Sequence, residues 1–345
     1  MKTKKQSVLF IPNNGYIFLC LPLTEKHGTF VFVCAYLFLQ RTYAFFDTME
    51  QLFYTVAGHT FSVEIPRVLP VRHLMPAYQP FVEERLADPL FALHIELCNQ
   101  LPLERAGSLL HRLDDDAAFI WVYRQEDAYA FGFSNHAEAP ECLLFVDSSY
   151  RNGQLFVLEN RCYSALIFDI DNSLMLLYAL NTARRNTLLI HASVVRLGDK
   201  GFAFLGKSGT GKSTHSRLWL THIEGAELVN DDNPVVRWEQ GHVFVYGSPW
   251  SGKTPCYKNI RAELSAIVRL SQAPENRIER LTPLHAYGSL LSSSSCLRWE
   301  RSVADGVHHT VEQVIRCCPS YHLACLPDKE AVQLVIDTYL SEKLC

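Results

Sequence analysis

The stretch Gly206-Lys207-Ser208-Gly209-Thr210-Gly211-Lys212-Ser213-Thr214 constrains this chain more than any other segment. The apolar run Phe202-Ala203-Phe204-Leu205 precedes it and a helix-like segment from Thr214 to Glu224 follows. Strand, glycine loop and helix thus stand in the order in which G-x-x-x-x-G-K-[ST] cradles phosphate. Glycines let the backbone turn inward so that successive N–H groups point into one concavity, and the following helix adds the positive end of its dipole. A triphosphate suits such a concavity. The sequence also carries its own control. Gly247-Ser248-Pro249-Trp250-Ser251-Gly252-Lys253-Thr254 has the same spacing, but Pro255 follows it and drives Thr254 out of the helical region. This second stretch is not expected to hold a nucleotide. Its Ser251, Gly252 and Lys253 are instead candidates for clamping an anionic acceptor or a transferred phosphate, with a plain surface turn as the alternative.

With 345 residues the chain has room for two domains. A net charge of −4 gives no general reason to expect a nucleic-acid partner. Eleven cysteines without a C-x-x-C pair read as thiols scattered through a reducing cytosol rather than a disulfide framework or zinc site, so a cytoplasmic location is expected. Near the amino terminus Lys2, Lys4 and Lys5 precede Val8-Leu9-Phe10-Ile11, but Pro12-Asn13-Asn14-Gly15 cuts that run short. The clean apolar stretch Thr29 to Leu39 falls short of the roughly 20 residues a membrane span needs. No membrane partner is expected. Met49 is taken as the natural start, with residues 1–48 as translated upstream sequence or a poorly ordered extension; a membrane-associated leader is the alternative.

From Met49 to about residue 170 the pattern predicts a mainly β domain. Leu52–Val56 and Thr60–Ile65 flank Ala57-Gly58-His59 as a hairpin, and strands follow at Leu90–Leu97, Ala117–Arg124, Tyr129–Phe133, Cys142–Val146 and Gln154–Glu159. Leu103–Leu113 reads as a helix, and Asp114-Asp115-Asp116 after it as a solvated turn rather than a metal site. Residues 171–345 are expected to form an α/β catalytic domain. Asn172 or Ser173 is expected to cap a helix running to about Arg185, followed by strands Leu188–Leu197 and Gly201–Leu205. Later segments predict a hairpin of Pro234–Trp238 with His242–Tyr246, strands at Ala262–Leu270 and Tyr321–Leu326, a helix over Leu284–Leu291, and a final helix capped by Asp328. His308-His309 with Glu312 reads as a solvated cluster rather than a metal site.

Leu228-Val229-Asn230-Asp231-Asp232 follows the glycine loop closely, and an apolar strand ending in carboxylates beside such a loop is where magnesium is held or water positioned. Adjacent carboxylates on a strand face opposite sides, so only one can face phosphate unless the strand has ended. Ile190-His191-Ala192-Ser193, the Gly206–Thr214 loop and Asn230-Asp231-Asp232-Asn233 together resemble the carboxy-terminal catalytic domain of HPr kinase/phosphorylase, a group similar to ATP-dependent phosphoenolpyruvate carboxykinase. The resemblance spans roughly residues 186–255, and the family's later R-G-x-G signature has no counterpart here.

That resemblance implies a P-loop on a mixed sheet, ATP with Mg2+, and phosphoryl transfer to a hydroxyl acceptor, either a protein serine or a small molecule. Lys212 would reach the β- and γ-phosphates and the Ser213 hydroxyl would coordinate magnesium. Asp231 and Asp232 would share two tasks, metal binding and acceptance of the acceptor's proton, in an order left open. His191 matches a family histidine near the phosphates, although a histidine among Leu188, Leu189 and Ile190 also suits a hydrogen-bonded core. Assembly into a homo-oligomer is implied by resemblance alone. A carboxykinase-like enzyme and a non-catalytic ATP-binding regulatory module remain the alternatives.

Overall fold

A computed structural model describes residues 49–84, 88–115, 118–252 and 254–344. The expectations placed on residues 1–48, Asp116 and Lys253 lie outside the described residues. The first sheet opens with the hairpin β1 (Met49–Val56) and β2 (His59–Pro66). Its turn residues Ala57 and Gly58 have φ of 49° and 75°, the double positive geometry that matches strand twist in a two-residue turn. A short helix α1 (Val71–Leu74) and a 3-10 turn (Pro76–Phe81) follow, and the turn buries Tyr78. Then come β3 (Ala92–Cys98), β4 (Ser108–Asp115), β5 (Ala118–Arg124), β6 (Tyr129–Ser134), β7 (Cys142–Val146) and β8 (Asn152–Leu158). The eight strands lie in the order β1-β2-β3-β8-β7-β6-β5-β4, with β3 parallel to both β2 and β8.

Three sequence expectations fail in this half. Asp114 and Asp115 are not in a turn but end β4, opposite Phe119 and Ala118, because the ladder to β5 runs through them. Leu103–Leu113 is not a helix: a 3-10 turn at Leu103–Arg105 gives way to β4, paired along β5 with a register shift between Leu109 and His111. Leu103, Leu109, Leu110 and Leu113 are all exposed, so the helical spacing of these leucines had no face to bury and the ladder to β5 decided the conformation. The helix expected from Asn172 is α2 (Tyr163–Thr182), in which Asn172 and Ser173 are interior. Their side chains donate to the carbonyls of Phe168 and Asp169 at 2.8 and 2.7 Å, one turn back, which satisfies them without ending the helix. Leu166, Ile170, Leu174 and Leu177 supply a continuous buried stripe across that point.

The second sheet contains β9 (Thr187–Leu189), β10 (Ser193–Leu197), β11 (Lys200–Leu205), β12 (Ala226–Asn230), β13 (Val235–Glu239), β14 (His242–Tyr246), β15 (Arg261–Gln272), β16 (Arg277–Arg280) and β17 (Ser320–Cys325). Its main path runs β12-β10-β11-β15-β14-β13-β9, and β17 pairs with β15 and β16. β15 pairs in parallel with β11 and with β17, while the hairpins are antiparallel. The helices of this half are α3 (Lys212–His222), α4 (Pro283–Ser292), α5 (Arg301–Cys317) and α6 (Lys329–Leu344). Asp328 accepts from the Ala331 amide at 2.9 Å, the cap expected for the final helix.

Leu188–Leu197 is not one strand. β9 pairs with β13, whereas β10 pairs with β11 and β12. Between them Ile190 bridges Ser294, the His191 amide donates to Ser293 O at 2.7 Å, and the Ala192 amide donates to Asp232 O at 2.9 Å. The backbone changes partners at three successive residues, and His191 is carried on that break. The helix α5 was not anticipated. Its His308 is half-buried and hydrogen-bonded to Tyr287, and the exposed His309 lies edge-on to Trp238. Among the described residues no group of three or more His, Cys, Asp or Glu side chains is placed to hold a metal.

One apolar core joins the faces of both sheets through α2, with Phe61, Leu144, Leu177, Leu189 and Val236 among its members. A second fills the space under α3 and α6 with Phe204, Trp219, Val268 and Val332. Asp171 on α2 is part-buried beside this first core, where desolvation lifts its carboxyl to about 7 against the pull of the Tyr78 hydroxyl, which donates to Oδ1 at 2.9 Å. An unfolded aspartate titrates near ~4. The folded chain therefore holds the extra proton between these values, and the stability this group contributes is full below about 4 and lost as pH rises to about 7. Asp171→Asn keeps an acceptor for Tyr78 and removes the loss. Its melting temperature is expected to exceed wild type at pH 8 by roughly 2–4 °C, the effect of about 1 kcal/mol after allowance for partial exposure, and the gap should narrow on scanning down to pH 5.

Candidate functional site

The central strand β11 delivers the glycine loop and α3 carries it away. Three glycines serve different needs. Gly206 has φ 155°, and a Cβ there would come 2.4 Å from Thr210 Oγ1, which is itself held by donation to Lys207 O at 2.8 Å. Gly209 and Gly211 have φ of 78° and 103° with nothing near a added Cβ, so their requirement is conformational rather than steric. The Thr210 amide turns inward to Lys207 O at 3.2 Å, and Gln272 Nε2 on β15 donates to Gly209 O at 3.2 Å. Among the described residues the amides of Ser208, Gly209 and Gly211 have no protein acceptor. Lys207 and Ser208 are exposed, Ser213 is half-buried and Thr214 is exposed.

Lys212, the first residue of α3, is buried, and its Nζ donates to Gly206 O at 2.9 Å and approaches Lys207 O at 3.4 Å. The same nitrogen lies 2.9 Å from His191 Nε2. An ammonium has only donors, so Nε2 is the acceptor and the imidazole proton sits on Nδ1. Nδ1 faces Asp232 Oδ1 at 3.2 Å. Lys212, His191 and Asp232 thus form one directed series of donors and acceptors.

Asp231 and Asp232 stand just beyond the end of β12, which releases them from the alternation of a strand. Asn230 Oδ1 accepts the amides of both Asp232 and Asn233 at 2.9 Å, a turn that sends the two carboxylates to different neighbours. Asp232 goes to His191, and its Oδ2 accepts from Asn233 Nδ2 at 2.7 Å. Asp231 is buried, and its Oδ1 accepts from Ser193 Oγ at 2.7 Å. Ser193 Oγ also lies 2.6 Å from Ser216 Oγ on α3. Ser213 precedes Ser216 by three residues and so shares its helix face.

The second glycine-rich stretch borders this site. A Cβ on Gly252 would lie 3.1 Å from Asp232 Cβ, so the loop backbone packs directly against that aspartate. Ser251 Oγ donates to Thr254 O at 2.8 Å and serves its own turn. Arg261 lies over the Phe244 ring, and the exposed Arg269, opposite Leu205 in the strand pair, donates to Ser289. Sequence reasoning singled out Lys212, His191, Asp231 and Asp232, which the structure brings together, but gave no separate part to Ser193, Ser216, Asn230 or Trp250. Only Ser193 had a signal: two residues beyond His191, it opens the strand that leads to the loop. His215 on α3 is buried and accepts from Trp219 Nε1 at 3.2 Å; burial pushes its imidazole down to about 4, which keeps it neutral and structural.

No protein-family model matches this chain, and no curated protein matches it. Among solved structures, the HPr(Ser) kinase/phosphatase from Coxiella burnetii is similar to it over 46% of this chain and 99% of that one, at 12% identity and a TM-score of 0.28. That is a weak relationship of fold. The functional residues have to be weighed on their own geometry.

The contrast among the glycines is directly testable. Gly206→Ala is expected to destabilise by about 1–3 kcal/mol through collision with Thr210. Gly209→Ala and Gly211→Ala, strained only in backbone conformation, should each cost roughly 1–2 kcal/mol. Denaturant unfolding of the three variants gives the order, and a Gly206→Ala protein as stable as wild type would contradict the contact.

Proposed function

We propose that this chain is an ATP-dependent phosphotransferase that moves the γ-phosphoryl group of Mg-ATP to a hydroxyl acceptor. One observation carries the reading: a glycine loop with three amides lacking protein acceptors has at its helix start a buried lysine wired to a histidine and a carboxylate. Amides of that kind bind phosphate oxygens, and the α3 N-terminus favours negative charge. In this reading Lys212 exchanges its contact with Gly206 O for the phosphates. A phosphate that draws Lys212 away leaves His191 Nε2 free to take up a proton, while Asp232 holds Nδ1 and steadies the imidazolium that results.

The donor set suits magnesium. Ser213 offers a hydroxyl and Asp231 a carboxylate, and hard oxygen ligands of this kind are what magnesium prefers. Bound there, Mg2+ would neutralise charge on the phosphates during transfer. Ser193 orients Asp231 by donating to one of its oxygens. Asp232, beside Gly252, is the residue that meets an acceptor approaching along the Gly247–Gly252 backbone, and it or His191 takes the hydroxyl proton.

The test is γ-labelled ATP with magnesium and the full chain, offered a panel of hydroxyl metabolites and cell-extract proteins. Wild type is expected to transfer label. Lys212→Ala should reduce transfer by about 100-fold or more, and Asp231→Ala and Asp232→Ala should lose turnover while still binding nucleotide. Tight ATP binding with no acceptor labelled would favour a regulatory module instead.

A further inference from the structure

Trp250 lies between the candidate site and the amino-terminal sheet. Its side chain is buried, and its indole Nε1 donates to Tyr78 Oη at 3.0 Å; that hydroxyl in turn donates to Asp171 Oδ1 at 2.9 Å. The indole also packs on the Tyr178 ring at 5.0 Å, and Tyr178 Oη donates to Val56 O at 3.0 Å. On the other side, the Trp250 carbonyl faces two donors of the acidic turn, Asn230 Nδ2 at 3.3 Å and the Asn233 amide at 3.2 Å, while Ser248 Oγ donates to Asn233 O at 2.6 Å. Two residues later Gly252 rests against Asp232. An apolar side chain could fill the same space. The indole N–H anchors Trp250 to Tyr78, and the Trp250 carbonyl is the second acceptor of the Asn233 amide, whose shorter bond goes to Asn230 Oδ1 at 2.9 Å.

We propose that Trp250 is a positioning residue, anchored by Tyr78, that holds the Asp232 turn in register with His191 and Lys212. The inference rests on the phosphotransferase reading for its catalytic consequence, but the mechanical link can be read without turnover. Residues 78, 171 and 250 are distant in sequence, and the chain of hydrogen bonds through them ends one residue from each of the two carboxylates. A displacement of about 1 Å in a group that must meet a reacting proton can cost on the order of 100-fold in rate. Asp231 is tethered through Ser193 and Asp232 through His191 and Asn233 Nδ2; the Trp250 carbonyl adds its bond at the Asn233 amide, next to Asp232, so Asp232 is the carboxylate nearest this link.

Trp250→Phe removes the donor and keeps an aromatic ring; Tyr78→Phe removes the acceptor from the other side. For each, and for the double variant, three quantities are measured on the full chain: kcat and KM for Mg-ATP, the melting temperature, and amide hydrogen exchange at Asp232 and Asn233 without nucleotide. Each single variant is expected to lower kcat by about tenfold or more with KM within about twofold. Exchange at the two amides should quicken by about tenfold, with β5 amides unchanged. In kcat and in exchange the double variant should be no worse than the worse single one, because the Trp250–Tyr78 bond is common to both; Tyr78→Phe also removes the bond to Asp171, so the melting temperature is left out of that comparison. Lowered melting temperature with unchanged kcat and unchanged exchange would overturn the proposal, as would fully additive losses. If wild type transfers no phosphate and the two amides still quicken, the positioning link stands and the phosphotransferase reading falls. If wild type turns over and both variants match it, the link falls alone. Should Trp250→Phe not fold, Tyr78→Phe reads the same bond.

Discussion

Lys212 is a charge brought out of water at the start of a helix, and the rest of the site follows from how that charge is accommodated. A buried ammonium needs acceptors, and a helix N-terminus, already positive, is a poor place to find them. The loop supplies one by turning the Gly206 carbonyl back toward Nζ, a fold that needs a glycine at 206 because Thr210 occupies the space of a Cβ. The second comes from His191 Nε2. To offer that lone pair the imidazole must carry its proton on Nδ1, and that proton needs Asp232. One lysine therefore fixes a backbone turn, a tautomer and the neighbour of a carboxylate.

The same requirement accounts for features of the fold that look like faults. A continuous strand from Leu188 to Leu197 would have kept His191 in a ladder; instead β9 ends at Leu189 and β10 starts at Ser193. Across that gap every amide is satisfied, by Pro234 O for Ile190, Ser293 O for His191 and Asp232 O for Ala192. The break costs no hydrogen bonds and lets one short segment touch α4's exit loop, the acidic turn and the glycine loop together. β12 likewise ends one residue short of the carboxylates, and the Asn230 side chain replaces the ladder as the partner of the next amides.

How much of this was legible follows the range of the interaction involved. The glycine loop, the hairpin turns and the Asp328 cap are local chemistry, and residue type with spacing was enough to read them. Lys212, Asp231 and Asp232 are candidates because a lysine and an acidic strand end are expected beside such a loop, and the structure joins Lys212 to Asp232 through His191. His191 was read on a strand and stands on a break, because the partners that break the strand are at 232, 234 and 293. Leu103–Leu113 was read as a helix because leucine spacing says nothing about whether a buried face exists. The Tyr78–Trp250 bond joins residues 172 apart in sequence, and no local pattern marks either member.

The two stretches that share the G-x-x-x-x-G-K-[ST] spacing show what the spacing alone does not determine. In the second, the Gly247 amide donates to Ile260 O at 2.9 Å and the Trp250 amide to Ser248 Oγ at 3.2 Å, which ties the loop to its neighbours at two points. A Cβ on Gly247 would sit 2.0 Å from Lys258 O, so that glycine is there for close approach of two chain segments. No helix follows it: the residues after Thr254 run without regular structure to β15. In the first, Ser208, Gly209 and Gly211 keep their amides unspent and α3 begins at once. The distinction lies in the helix that follows one loop and not the other, and Pro255 after one Thr, against Thr214 after one Ser, is the small piece of sequence that decides it.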